Sequence, residues 1–283
     1  MNNFFNIKRF ALVLSKDFQE KWKKYLLQFM AMFGLMAVIL IMSIYSDYSN
    51  TPHNIYVEFE NYQLLTYASF LFLGFGVFFA STLMENMQEK TKRISCLILP
   101  ASDFEKFFSR WLIVTVGYII AFFIALWLAD AVRVAFLSYK FPEIDIQFLD
   151  FSRLVNPGME DNRIYVFPDK YIFGVCISIY ALLQSLSILG ATFWEKFSFV
   201  KTFSAVIAIV ALFSYLNQWM VKIVFKDFDR FGNMMNAYFD STFPNASPST
   251  VLPILTSILV FFTLFFWVVA FFRFRESEII KRL

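Results

Sequence analysis

The residues able to perform chemistry are few, and their spacing excludes most enzymatic schemes. A zinc site needs several Cys, His or carboxylate ligands brought close together, yet this chain has one histidine, His53, and two separated cysteines, Cys96 and Cys176. His53 is expected to be a solvated loop residue. Cys96 belongs to a basic stretch and Cys176 to an apolar run, so no disulfide is expected. None of the eight glycines opens a phosphate-cradling G-x-x-x-x-G-K-S/T loop, and neither H-E-x-x-H nor G-x-S-x-G occurs. No catalytic residue, metal or cofactor is therefore expected. Ion-coupled carriers place acids and bases in mid-span; here Glu85, Asp130, Arg133 and Glu195 fall near the ends of apolar runs, where they are expected to reach water. Gln184 and Asn217 are neutral groups suited to bonding between helices.

The segment with the most definite local grammar is Lys90 to Leu112, KTKRISCLILPASDFEKFFSRWL. Pro100 cannot continue a preceding helix, Ser102 can cap a new one, and Glu105 stands three residues later, as a capping box requires. A short helix is predicted from about Asp103. On it Phe104, Phe107 and Phe108 share a face, while Lys106 and Arg110 lie elsewhere on the turn. A rigid helix with exposed aromatics, joined directly to a membrane span, can seat in a partner's groove and carry rigid-body movement.

The elements that must position this segment follow from composition. With 59% hydrophobic residues and forty Phe, the chain does not suit a water-exposed surface. Apolar runs of about twenty residues, enough to cross a hydrocarbon core of about 30 Å, begin near Tyr25, Leu64, Trp111, Tyr171, Val200 and Val251. Their continuity favours helices over the alternating strands of a barrel. The predicted fold is an all-α integral membrane protein with six transmembrane helices. The N-terminus shows no cleavable signal pattern, so the first span is expected to be retained.

Lysine and arginine number seventeen in the segments that include both termini and eight in the alternate set, which predicts cytoplasmic termini. The net charge of +3 is too small to suggest nucleic acid. Ahead of the first span, Ile7, Ala11, Leu14, Phe18 and Trp22 recur at helical spacing, with Arg9, Lys16, Glu20 and Lys23 opposite. Residues 1–24 are expected to form an interfacial amphipathic helix, with Phe10, Leu14, Phe18 and Trp22 at the membrane boundary, followed by a six-helix domain over 25–283. A plain charged start to the first span is the simpler reading. The third loop, 130–170, carries Pro142, Pro157, Gly158 and Pro168 and predicts an irregular extracytoplasmic excursion. In the fifth loop, 221–250, Phe225, Phe228, Phe231, Met234, Met235 and Tyr238 suggest a short amphipathic helix at the outer surface.

Taken together, the N-terminal amphipathic helix, the L-P-A-S-x-x-E-K-F pattern at Leu99 to Phe107 and six spans with a large fifth loop resemble the permease subunits of type-2 ABC transporters, particularly permease-like proteins common in Bacteroidetes. The resemblance implies a multi-pass protein of the bacterial inner membrane, surrounded by lipid and paired as a homodimer or with a second permease. Its coupling loop, 85–110, would rest on a separate cytoplasmic ABC-type ATPase, with Pro100, Ser102, Asp103, Phe104, Glu105, Lys106 and Phe107 at the contact. Export is the expected direction. The long third loop departs from that pattern, since such permeases usually keep it short. The same architecture would also serve a non-transporting sensor or assembly scaffold that engages a different cytoplasmic protein.

Overall fold

The computed structural model describes residues 5–50, 57–84, 94, 98–144, 146–157, 164–194, 197–225 and 248–280. The expectations placed on His53, Glu85, Cys96, Gly158, Glu195, the side chain of Asn217 and the stretch from Phe228 to Tyr238 fall outside those described. The fold is all-α. Its elements are α1 (Ile7–Asn50), α2 (Val57–Ser81), α3 (Asp103–Leu112), a π turn (Ile113–Gly117), α4 (Tyr118–Lys140), a single 3-10 turn (Phe151–Arg153), α5 (Lys170–Phe193), α6 (Ser198–Phe225) and α7 (Pro248–Ile280). Six helical stretches are long and apolar enough to cross a bilayer: Ile7–Ser46, Phe59–Ser81, Asp103–Lys140, Lys170–Phe193, Ser198–Met220 and Val251–Glu276. The six predicted spans are all present.

Two boundaries differ from the sequence reading. Helix α1 runs for 44 residues without a break near Tyr25. At 1.5 Å per residue it is about 66 Å long, twice the hydrocarbon thickness, and the N-terminal segment and the first span form one continuous helix. The apolar stripe of that extension, including Ile7, Phe18 and Trp22, is left exposed, while Val13 and Asp17 turn inward. The second difference concerns 130–170. Apolar content drops after Asp130, yet α4 continues to Lys140, because the outer face keeps Val132, Phe136 and Tyr139 while the inner face buries Arg133 and Leu137. The non-helical part starts only at Phe141. It is ordered by a bridge between Val155 and Phe167 and by hydrogen bonds from Phe167 N–H to Leu154 O (2.9 Å) and from Asn156 N–H to Phe167 O (3.0 Å).

α1 packs along α4 and α2, α2 packs on α5, and α5 carries both α6 and α7. Two apolar cores result. One joins α1, α2 and α4 through Met36, Leu40, Ile44, Leu64, Phe122 and Leu137. The other, nearer the start of α1, joins α2, α3, α5 and α7 through Leu83, Phe107, Val114, Ile188, Ala270 and Phe274. Between the helices, close approach depends on glycine at two points. A Cβ on Gly76 would lie 2.5 Å from the Tyr180 ring, and one on Gly190 would lie 1.9 Å from Thr202 Oγ1. In a membrane, where lipid offers no hydrophobic drive between helices, such small-residue contacts let backbones approach and gain dispersion energy.

Candidate partner-contact site and the buried ion clusters

The predicted capping box is present in full. Ser102 has extended backbone (φ −70°, ψ 153°), and its Oγ accepts from Glu105 N–H at 3.2 Å, while Glu105 Oε2 accepts from Ser102 N–H at 3.0 Å. Two of the first turn's orphan donors are satisfied in this way. Asp103 and Glu105 stand at the positive end of the helix dipole and Arg110 at the negative end, which favours the short helix further.

The same carboxylate also holds a second helix start. Asn6 caps α1, its Oδ1 accepting from Lys8 N–H at 3.0 Å, and its own N–H donates to Glu105 Oε1 at 2.7 Å. Arg9 then grips Glu105 bidentately, with Nε to Oε2 at 2.6 Å and Nη2 to Oε1 at 2.8 Å. Glu105 therefore accepts four hydrogen bonds and is fully buried. One turn further on, Ser109 Oγ donates to Asp17 Oδ2 at 2.8 Å, and Arg110 Nε stands 3.8 Å from the same oxygen. α1 and α3 are thus tied at two levels by charge-assisted bonds, which are stronger and shorter than neutral ones.

The aromatic face is likewise engaged within the chain. Phe104 lies against Phe5 (centroids 6.2 Å) and Phe271 (6.0 Å), and Phe107 against Phe271 (5.6 Å) and Phe274 (5.8 Å). Phe108 meets Phe10 at 5.5 Å and stacks on Trp111. This corrects the expectation of exposed aromatics: Glu105, Lys106 and Phe107 are buried, and Phe104 and Phe108 are half-buried. The cause is that α1 and α7 both reach this end and close over the helix. Of the seven residues proposed for partner contact, Pro100 is exposed and Ser102, Asp103 and Phe104 are half-buried. The free apolar surface lies just before them, at Ile94 and Ile98, the latter 75% exposed. Sequence reading missed these two, although an apolar pair spaced four apart in a basic loop is a usable signal.

At the opposite end of the bundle lies a cluster that the sequence reading did not assemble. Arg133 is fully buried. Its Nη1 meets Glu60 Oε1 at 2.7 Å, its Nε donates to Asp130 Oδ1 at 2.8 Å, and its Nη2 donates to the Gln147 carbonyl at 2.7 Å. Tyr48 donates to Glu60 Oε2 at 2.5 Å, and burial together with that bond pushes the Tyr48 phenol up, so it remains a neutral donor. Asp130 Oδ2 accepts from Leu149 N–H at 2.8 Å. Asn61 reads both backbone groups of Asp150, accepting at 2.9 Å and donating at 3.0 Å. Hydrogen bonds from the Ser152 hydroxyl and N–H hold the Asp150 carboxyl below its ordinary range. A cavity of about 40 Å³ remains between Glu60, Asn61, Arg133, Gln147 and Arg153. Asp130 and Arg133, expected to reach water, do not: the strap formed by residues 146–150 closes over them. Gln184 is also buried, but its Nε2 has no hydrogen-bond partner among the described residues.

The two clusters fix α3 to α1 at one end and the strap to α2 and α4 at the other. Comparison with protein families, with curated proteins and with solved structures returns no match.

Proposed function

We propose that this chain is the membrane-spanning permease subunit of an ABC exporter, driven by a separate cytoplasmic ATPase that seats at the α3 end. The observation that carries the reading is the continuity of a capped short helix with a full span, Asp103 to Lys140, together with its double attachment to α1. A push on the loop ahead of Ser102 has no slack to take up, because Glu105 and Asp17 bind α3 to α1 and Phe107 binds it to α7. The load passes directly into three spans.

On this reading the ATPase touches the exposed residues of the loop and not the buried ones. Glu105 and Phe107 transmit force from the interior, and Ile94, Ile98 and Pro100 supply the exposed surface. The excess of Lys and Arg on this side supports a cytoplasmic location. Pairing with a second permease is supported by α6, whose residues from Phe203 to Leu216 are exposed around most of the helix. The test is whether an ABC-type ATPase co-purifies with this chain. Ile98→Glu is expected to abolish association while leaving membrane insertion and monodispersity intact. Undiminished co-purification of the ATPase by Ile98→Glu refutes the contact, and capture of a sensor kinase in place of an ATPase overturns the permease reading.

A further inference from the structure

We infer that the strap over the far end of the bundle is a lipid contact: Phe148 and Phe151 seat among acyl chains of the adjacent leaflet as an aromatic wedge. Four observations carry this, and none depends on an ATPase partner. First, the strap's polar backbone groups are held by side chains of the bundle. Arg133 takes the Gln147 carbonyl, Asp130 the Leu149 N–H, and Asn61 both backbone groups of Asp150. Irregular backbone is tolerated at membrane depth only when its polar groups are satisfied by protein, and these four bonds satisfy four of the strap's.

Second, the side chains released by this arrangement are large and apolar. Phe148 is 61% exposed and Phe151 45% exposed, whereas Ile146 is buried in the core and Leu149 packs against it. Third, Phe151 points down the span. Its ring stands 6.2 Å from that of Phe123, ten residues before Arg133 on α4 and so about 15 Å closer to the bundle's middle. Fourth, Phe123 belongs to the outward stripe Ile120, Phe123, Trp127 of a membrane-crossing helix, with Trp127 65% exposed. The strap therefore extends an apolar surface already turned toward lipid, and acyl chains are the occupant that matches a surface continuous with that stripe.

The experiment places nitroxide labels at Phe148→Cys and Phe151→Cys in the full chain with Cys96 and Cys176 replaced by Ser. The protein is reconstituted in vesicles of phosphatidylcholine and phosphatidylglycerol, with Trp127→Cys as the lipid reference and Glu143→Cys as the aqueous one. Collisions with oxygen, which partitions into lipid, are compared with collisions with a water-soluble nickel chelate. The expected result is a several-fold higher oxygen-to-nickel ratio at both strap sites than at Glu143→Cys, with Phe151→Cys the deeper of the two. A ratio matching Glu143→Cys places the strap in water and overturns the inference. Exclusion of both reagents overturns it too, since another protein surface then covers the wedge. If the Phe151→Cys variant does not elute as a monodisperse species, Phe148→Cys alone decides.

Discussion

Replacing Arg133 with Gln removes the guanidinium that pairs with both Glu60 and Asp130 and leaves these two facing one another's field. In the native arrangement the guanidinium serves both carboxylates and the Gln147 carbonyl. After Arg133→Gln, Glu60 retains only the Tyr48 hydroxyl and Asp130 only the Leu149 N–H among the contacts seen here. Breaking a buried pair by removing one partner costs about 3–5 kcal/mol, because the stranded charge loses its compensation without regaining water. At about 2–4 °C per kcal/mol for a chain of this order of size, the melting temperature should fall by roughly 10 °C. The assay is thermal melting of the detergent-solubilised protein followed by size-exclusion chromatography, with limited proteolysis reporting on 146–153. Adding Glu60→Gln and Asp130→Asn to Arg133→Gln leaves no uncompensated charge and should recover most of the loss. A single-mutant shift below about 2 °C, or a triple variant no more stable than the single, refutes the assignment of Arg133 as the compensating charge.

Three further outcomes follow from the packing and the caps. Gly190→Ala places a methyl group against Thr202 and should destabilise by about 1–3 kcal/mol; Thr202→Ala in that background should restore part of it in the same melting assay, and no restoration would argue against the α5–α6 approach. Ser102→Ala removes the cap of α3 and should cost about 1 kcal/mol, read as increased amide exchange confined to 103–106. Cysteines introduced by Asp17→Cys and Ser109→Cys should be joined in membranes by a short bifunctional thiol reagent, because the native side chains are in hydrogen-bond contact at 2.8 Å; failure to cross-link would contradict the α1–α3 tie.

Local features were legible in the sequence and long-range ones were not. The Ser102 and Glu105 cap depends on a three-residue spacing and on Pro100 before it, and both its existence and the start of α3 at Asp103 were readable. The six spans follow from composition over about twenty residues each. By contrast, Arg9 and Glu105 are 96 positions apart, and Arg133 and Glu60 are 73 apart. No local pattern marks either pair. Burial was misjudged for a related reason: the partners that bury these side chains are distant in sequence, polar groups meeting one another inside the bundle and Phe107 meeting α7. Phe107, Asp130 and Arg133 each followed the tertiary contact and not the expectation drawn from water.

The π turn at Ile113–Gly117 sets the angular phase between the short helix and its span. Each residue added to or removed from a helix rotates everything beyond it by about 100°. Closing 113–117 as an ordinary α-helix with all five residues kept would leave α3 attached and continuous while turning its inward face by roughly a quarter of a revolution. Glu105 would then swing away from Arg9, and Phe107 from Phe271 and Phe274. In this chain the aim of α3 is stored as a count of residues within one wide turn.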